Sequence, residues 1–165
     1  IRVTGIGKNS VQGDRAFVRL LEAMGCVVRE GADWTEVTGK PLHGISADMA
    51  DISDTAMTLA VVALFADSPT SIRGIGNVRV KESDRIAAIA TEARKLGAQV
   101  EEFEDGLRIT PAPLRGAMIE TYNDHRIAMS FAIAGLRQPG VVISNPECVN
   151  KTYPGFFEEL AKLGG

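Results

Sequence analysis

A run of charged residues, Lys81-Glu82-Ser83-Asp84-Arg85, stands directly before a segment with helical periodicity. Apolar side chains recur at three- and four-residue spacing through that segment, and Gly97 is suited to end the helix. The first turn of a helix carries unpaired N–H groups and a partial positive charge. With Lys81 and Arg85 at that end, the run predicts an anion site, and Glu82 adds a titratable group. A solvated, capped helix start is the simpler alternative.

Two strongly apolar segments near 55–66 and 125–136 also follow polar residues. Asp54 and Asp124 precede them, and each is a plausible helix N-cap. Asp54 in addition follows Asp48-Met49-Ala50-Asp51. Carboxylates crowded before a buried helix provide an environment in which one of them can act as a general base.

Three more residues at or just before helix starts could bind an anion or transfer a proton. His125 and Arg126 begin the segment near 125–136, and Lys151 precedes another predicted helix near 156–163. Imidazole exchanges protons near neutral pH, and guanidinium binds an oxyanion through two parallel hydrogen bonds. A lone histidine is more often structural, and a single lysine is weak evidence by itself, so their grouping has to come from the fold.

An internal repeat of about 70 residues relates these segments. Repeat units are predicted at about 1–70 and 71–140, with a partial third unit at 141–165 that ends at Gly164. The matching pairs are Val3-Thr4-Gly5-Ile6-Gly7 with Ile72-Arg73-Gly74-Ile75-Gly76, Asp14-Arg15 with Asp84-Arg85, and Asp54-Thr55-Ala56-Met57 with Asp124-His125-Arg126-Ile127.

The elements of each unit read as strand, helix, strand, strand and helix. Amphipathic helices are predicted near 14–24 and 84–96, and the segments near 55–66 and 125–136 are apolar on nearly every side, which indicates burial. Strands are predicted at 27–29, 35–37, 99–103 and 107–110. The expected fold is therefore α/β, with buried parallel helices inside and sheets outside.

This arrangement predicts where the charged residues meet. Equivalent helices that pack side by side in parallel place their N-termini on one face. Arg85, Arg126 and Lys151 should therefore converge there, with Glu82 and Asp54 nearby. Several cations and helix dipoles suit a ligand that carries carboxylate and phosphate groups.

The composition excludes several classes of function. The 165 residues, 45% apolar and 24% charged, are those of one ordinary globular domain. A net charge of −3 argues against a nucleic-acid partner, and no apolar run reaches membrane-spanning length. No signal peptide is visible, and the two cysteines show neither metal nor disulfide spacing. A cytoplasmic protein is expected.

Four motifs together resemble the 5-enolpyruvylshikimate-3-phosphate (EPSP) synthase family. They are Gly7-Lys8-Asn9-Ser10-Val11-Gln12-Gly13-Asp14, Asp51-Ile52-Ser53-Asp54-Thr55-Ala56-Met57, Asn77-Val78-Arg79-Val80-Lys81-Glu82-Ser83-Asp84-Arg85 and Tyr122-Asn123-Asp124-His125-Arg126. The resemblance covers essentially the whole chain, as most of one domain from the C-terminal portion of such an enzyme. It implies an enolpyruvyl transferase-like domain of repeated strand-helix-strand-helix-strand-strand units.

The resemblance also implies an activity and the residues that perform it. The reaction moves the enolpyruvyl group of phosphoenolpyruvate to the 5-hydroxyl of shikimate 3-phosphate, without a cofactor or a metal. The implied catalytic residues are Asp54 as the base on the hydroxyl, Glu82 in proton transfer at the methylene, and His125 in close support. Those implied for shikimate 3-phosphate are Asp54, Asn77 and Lys81, and those for phosphoenolpyruvate are Arg85, Arg126 and Lys151.

The family's N-terminal domain, which would complete the cleft, is absent from this sequence. The chain alone is therefore expected to be inactive, with that complementary domain as its partner. A non-catalytic anion-binding or assembly module that keeps the fold is the alternative. Such a module has no use for Asp54 and Glu82 beside its cations, so their presence favours catalysis.

Overall fold

The computed structural model describes residues 1–163 as a mixed α/β domain. Short 3-10 segments precede α1, α2 and α3 and also cover Pro146–Val149. The strands are β1 (Arg2–Thr4), β2 (Val27–Glu30), β3 (Trp34–Thr38), β4 (Ser46–Asp48), β5 (Thr70–Arg73), β6 (Gln99–Phe103), β7 (Gly106–Thr110), β8 (Met118–Ile119) and β9 (Val142–Ile143). The helices are α1 (Phe17–Ala23), α2 (Ala56–Ala63), α3 (Arg85–Lys95), α4 (His125–Ala134) and α5 (Phe156–Leu163).

The largest sheet contains one complete repeat unit. Its strand order is β4-β5-β7-β6, with β4 parallel to β5 and the other pairs antiparallel. Helix α2 connects β4 to β5 and α3 connects β5 to β6, so residues 46–110 follow the order strand-helix-strand-helix-strand-strand. The strand-helix-strand-helix-strand-strand order that the resemblance implies is confirmed for this unit.

Two smaller sheets hold parts of neighbouring units. One has the order β1-β3-β2, and the other is the parallel pair β8-β9 connected by α4. The pairing of Ser46 with Ser71 in β4 and β5 has its counterpart in Met118 with Val142. The hydrogen-bonded sheets therefore group the elements with β4 as the first strand of a unit. The unit boundaries at about 1–70, 71–140 and 141–165 stay a prediction, and Gly164 lies outside the described residues.

Helices α2, α3 and α4 pack on one another in the core, as expected for this fold class. Asp54 contacts Arg126, and Thr58 contacts Ser130 at the next turn. The contacts advance in the same direction along both helices, so α2 and α4 run parallel. The expectation that the segment near 125–136 is buried on nearly every side is wrong at its end, where Ile133 and Leu136 are 36% and 40% exposed.

The predicted stripe of α3 faces the core. Its members, Ile86, Ile89, Ala90, Ala93 and Leu96, are all buried. Gly97 follows with a φ of +112°, a conformation that costs glycine little and that ends the helix. None of the helices within residues 1–163 has the length and apolar composition needed to cross a membrane.

Candidate active site

The Arg85 side chain is the centre of a cluster at the N-termini of α2, α3 and α4. Residue Arg85 is 1% exposed, and its guanidinium donates to three carboxylates. Nε lies 2.8 Å from Asp124 Oδ2, Nη2 lies 2.7 Å from Glu82 Oε2, and Nη1 lies 3.1 Å from Asp54 Oδ1. A charge this deeply buried needs such partners, because desolvation alone would cost several kcal/mol.

Asp54 bridges two arginines, and two expectations about it are wrong. It does not cap α2, whose N-cap is Thr55 without a side-chain capping bond. Its neighbours are cations rather than crowded carboxylates, since Arg126 Nη2 also lies 3.1 Å from Oδ2. The Asp48 carboxylate instead accepts from Ala50 N–H within its own turn. The 3-10 segment before α2 is kinked at Ile52, and Asp54 beyond the kink contacts residues at the other helix starts.

Asp124 caps α4, as predicted, and also binds Arg85. Its Oδ1 accepts from Arg126 N–H at 2.9 Å, and its Oδ2 accepts from Ser83 Oγ at 3.0 Å. Complete burial would raise the pKa of Asp124. The hydrogen bonds from Arg85 and from Arg126 N–H outweigh that effect and hold the pKa below its ordinary value.

Glu82 lies between Arg85 and the exposed Lys151. Lys151 Nζ is 3.7 Å from Glu82 Oε1. The pKa of Glu82 is lowered, first because the carboxylate accepts a hydrogen bond from its own backbone N–H and then because of the charge on Arg85. Glu82 is therefore ionised at neutral pH and can accept a proton.

His125 is buried beside these charges, and its Nδ1 has no hydrogen-bond partner among residues 1–163. That nitrogen lies 3.9 Å from Glu82 Oε1 and 4.0 Å from Asp124 Oδ1. Burial lowers the pKa of His125, with Arg126 and Lys151 adding to the effect, while the two carboxylates oppose it. The ring is thus held neutral, and Nδ1 is covered by the surrounding atoms.

The depressed pKa of His125 predicts a specific acid sensitivity. An exposed histidine titrates at about 6.5, so below that pH the unfolded state binds a proton that the folded state does not. The free energy of unfolding should fall as the pH drops from about 6.5 through the lower folded-state pKa. Urea unfolding at a series of pH values measures it. The contribution should vanish in His125→Gln and persist in His43→Gln, and equal slopes in both variants would contradict it.

The structure brings six of the eight predicted site residues into one cluster: Asp54, Glu82, Arg85, His125, Arg126 and Lys151. Asn77 lies next to it, where its Nδ2 donates to Ser53 Oγ at 3.0 Å. Lys81 is exposed on the loop before α3 and has no ion-pair partner within residues 1–163. These two residues border the cluster without joining it.

The sequence prediction gave Asp124 no role beyond capping, and it did not include Ser83. One signal could have found Asp124. An acidic residue that begins a helix with apolar sides is buried with the helix, and a buried carboxylate needs a cationic partner. Within the part of the chain that is described, no group of three or more histidine, cysteine or acidic residues is arranged to hold a metal ion.

The fold and the cluster define a class of protein. Helices α2 and α4 run parallel in the core, α3 packs against both, and all three bring their N-termini to interleaved carboxylates and guanidinium groups, as expected for an enolpyruvyl transferase-like domain. The family model described as EPSP synthase (3-phosphoshikimate 1-carboxyvinyltransferase) matches residues 1–160. The chain therefore belongs to the EPSP synthase family, which confirms the resemblance seen in the sequence.

Individual relatives agree with this assignment. The chain is 53% identical to a 3-phosphoshikimate 1-carboxyvinyltransferase of Nostoc punctiforme, over 99% of the chain and 38% of that protein. It is also 53% identical to one of Aeromonas salmonicida, over 99% and 38%. The solved EPSP synthase of Acinetobacter baumannii superimposes with a TM-score of 0.84 at 30% identity, over 99% of this chain and 41% of that one. The enolpyruvyl transferase NikO of Streptomyces tendae gives 0.75 at 28%, over 99% and 38%. The chain spans about two fifths of the length of these relatives.

Proposed function

We propose that this chain forms one half of the active-site cleft of an EPSP synthase. The reaction transfers the enolpyruvyl group of phosphoenolpyruvate to the 5-hydroxyl of shikimate 3-phosphate and releases phosphate. The observation that carries the proposal is Asp54, held between Arg85 and Arg126 at the mouth of three converging helix starts. A carboxylate oxygen beside an accessible oxyanion-binding group, Arg126, is what an attack by a hydroxyl on a charged ligand requires.

Asp54 is the proposed base. Its side chain is 38% exposed, so a ligand can reach the carboxylate while the arginines fix its direction. It takes the proton of the 5-hydroxyl as that oxygen bonds to the central carbon of phosphoenolpyruvate. The methylene carbon gains a proton in the same addition and loses one again as phosphate leaves.

Glu82 and His125 are the proposed groups for proton transfer at the methylene. Both side chains lie in the cluster at the starts of α3 and α4, and Glu82 Oε1 lies 3.9 Å from His125 Nδ1. Glu82 is ionised and His125 neutral at pH 7, because their pKa values are both lowered. An ionised carboxylate and a neutral imidazole both accept a proton, so the pair suits the removal of a proton from the methyl carbon as phosphate leaves. The proton that Asp54 takes from the hydroxyl balances the one that the methylene carbon gains in the addition.

Arg126 and Lys151 are the accessible cations for phosphoenolpyruvate. Their side chains are 32% and 53% exposed. Arg85 is only 2% exposed in its side chain, and its nitrogens already donate to carboxylates. Arg85 can therefore reach the ligand only where Asp54 or Glu82 turns away from it, and with these contacts in place it orders the site.

Asn77 and Lys81 are the proposed contacts to shikimate 3-phosphate, together with Asp54. Both lie on the exposed side of the cluster, and Lys81 keeps its charge free among the described residues. The remaining contacts would come from the complementary N-terminal domain. On this proposal, residues 1–165 are most of one domain. The proposed location is the cytoplasm, where the free cysteines Cys26 and Cys148 would stay reduced.

The ion pairs weigh against a module that only binds anions. Each of the three predicted phosphoenolpyruvate-binding cations, Arg85, Arg126 and Lys151, lies within 4.0 Å of a carboxylate. Such pairing reduces the field that would attract an anion, so the carboxylates have to serve another purpose. Proton transfer is the purpose their positions fit.

Replacing Arg126 by lysine tests the assignment of ligands. Lysine keeps the charge but loses the planar fork that binds a carboxylate through two hydrogen bonds. With the N-terminal portion of a full-length relative added, the KM for phosphoenolpyruvate should rise about tenfold or more. The KM for shikimate 3-phosphate should change little. Arg137→Lys, just after α4 and exposed, is the matched control. Equal losses for both substrates would show that Arg126 is structural.

A further inference from the structure

A completely buried carboxylate lies behind the cluster and takes no part in the proposed steps. Glu92, on the buried side of α3, is 0% exposed. It accepts hydrogen bonds from Tyr122 Oη at 2.8 Å and from Glu120 N–H at 3.0 Å, and Lys95 Nζ lies 2.8 Å away. A buried acid with this many donors is held in one orientation.

Tyr122, which donates to Glu92, belongs to an unusual turn that leads into α4. Asp124 N–H donates to Thr121 O at 2.8 Å and closes a four-residue turn. Its central residues, Tyr122 and Asn123, both have a φ of +54°, and within residues 1–163 no other residue besides glycine has a positive φ. Positive φ at both central positions is the pattern of a type I′ turn, which favours asparagine and glycine. Tyrosine at the first position is disfavoured there, so other contacts have to stabilise the turn.

Helix α3 holds this turn at both ends. Arg85 and Glu92 are seven residues apart, so they lie on the same side of the helix, about 10 Å from each other. Arg85 binds Asp124 at the end of the turn, and Glu92 binds Tyr122 at its beginning. The two contacts together fix where the N-terminus of α4 begins.

We propose that Glu92 and Tyr122 are positioning residues for the candidate active site. Their hydrogen bond keeps the Thr121–Asp124 turn in its left-handed conformation, and the turn directs Asp124 and His125 towards Arg85 and Glu82. That this turn matters for catalysis rests on the proposed function. That the hydrogen bond between Tyr122 and Glu92 holds the turn does not depend on it. Burial and the bond to Glu92 raise the pKa of Tyr122 to about 12, so the phenol remains a donor at every pH near neutrality.

The test is Tyr122→Phe in this chain, which removes one hydroxyl and keeps the ring. Hydrogen exchange at the Arg126 and Ala128 amides, which donate to Asp124, should become about tenfold faster. The NMR titration of the His125 ring should shift upwards as water reaches it between Glu82, Asp124, Arg126 and Lys151. These readouts report the start of α4, whereas a general loss of stability would speed exchange everywhere.

Several controls make the result decisive. The exchange of the Ile109 amide in β7 should not change. Tyr153→Phe removes the chain's other phenol hydroxyl and should have no effect on α4. Glu92→Gln, which keeps the size of the side chain, should act in the same direction as Tyr122→Phe. If Tyr122→Phe does not fold, the exchange and titration of Glu92→Gln test the proposal in its place.

A rescue tests the reason given for the effect. Asn123→Gly lowers the cost of a positive φ, so adding it to Tyr122→Phe should restore part of the lost protection. Unchanged exchange and titration in Tyr122→Phe and Glu92→Gln would overturn the proposal. Equally faster exchange at the α4 amides and at the amides of the β4-β5-β7-β6 sheet would overturn it too. An effect that Asn123→Gly does not reduce would also overturn it. None of these measurements needs a substrate, so failure of the proposed reaction would leave them unaffected.

Discussion

Asp54→Asn should lower the turnover of the completed enzyme by about 10²–10⁴-fold, because loss of a general base typically has that effect. Asparagine keeps the size of the side chain and can still accept a hydrogen bond from one arginine. The KM values for both substrates should change much less than kcat. Steady-state phosphate release, with the N-terminal portion of a relative supplied, measures both quantities.

Asp51→Asn is the matched control for this substitution. Asp51 lies three residues earlier in the same 3-10 segment, is exposed, and forms no ion pair within residues 1–163. It should retain nearly full turnover. Asp54→Asn with near-normal kcat would show that Asp54 only orders the arginines. Equal losses in both variants would point to damage of the segment instead.

The largest change in stability is expected for Arg85→Leu. The substitution leaves Asp124, which is 0% exposed, without its guanidinium partner. Breaking a buried ion pair from one side typically costs about 3–5 kcal/mol in the free energy of unfolding. Urea unfolding of the chain at pH 7 measures the loss. Arg94→Leu on the same helix, where Arg94 is exposed and donates to Val100 O, should cost much less.

A second substitution separates the charge from the packing. Asp124→Asn removes the buried charge and keeps a side-chain oxygen that can cap α4. If the uncompensated charge causes the loss, Arg85→Leu should cost clearly less in the Asp124→Asn background. Fully additive costs would mean that the packing of Arg85, rather than its charge, stabilises the domain.

The fold could be predicted where the periodicity of a segment and its burial agree. The α3 stripe and Gly97 fixed one helix from local pattern alone, and the bounds of β6 match the predicted 99–103. The segment near 125–136 was expected to be enclosed to its end, yet Ile133 and Leu136 are exposed. Periodicity tells which side chains are apolar, but it does not tell how far the surrounding elements extend.

The sequence could predict which residues come together in the site, but not which partners they contact there. The repeat brought the N-termini of the helices to one face, and Asp54, Arg85 and Arg126 are in contact there. The partners of Asp54 are 31 and 72 residues away along the chain, beyond any local rule, so the sequence suggested a cap and a carboxylate cluster. The positive φ of Tyr122 was also hidden, because tyrosine seldom adopts it.

The most direct test of the central claim, that this chain is one half of a synthase active site, is phosphate release from phosphoenolpyruvate and shikimate 3-phosphate. The purified chain alone should give no turnover, since an open face leaves the ligands unoriented, and orientation contributes up to about 7–11 kcal/mol. Turnover should appear when the N-terminal portion of a relative is added, and the positive control is that relative's own C-terminal portion in place of this chain. Turnover by the chain alone after removal of host enzyme, or none with a partner that activates the relative's portion, would contradict the account.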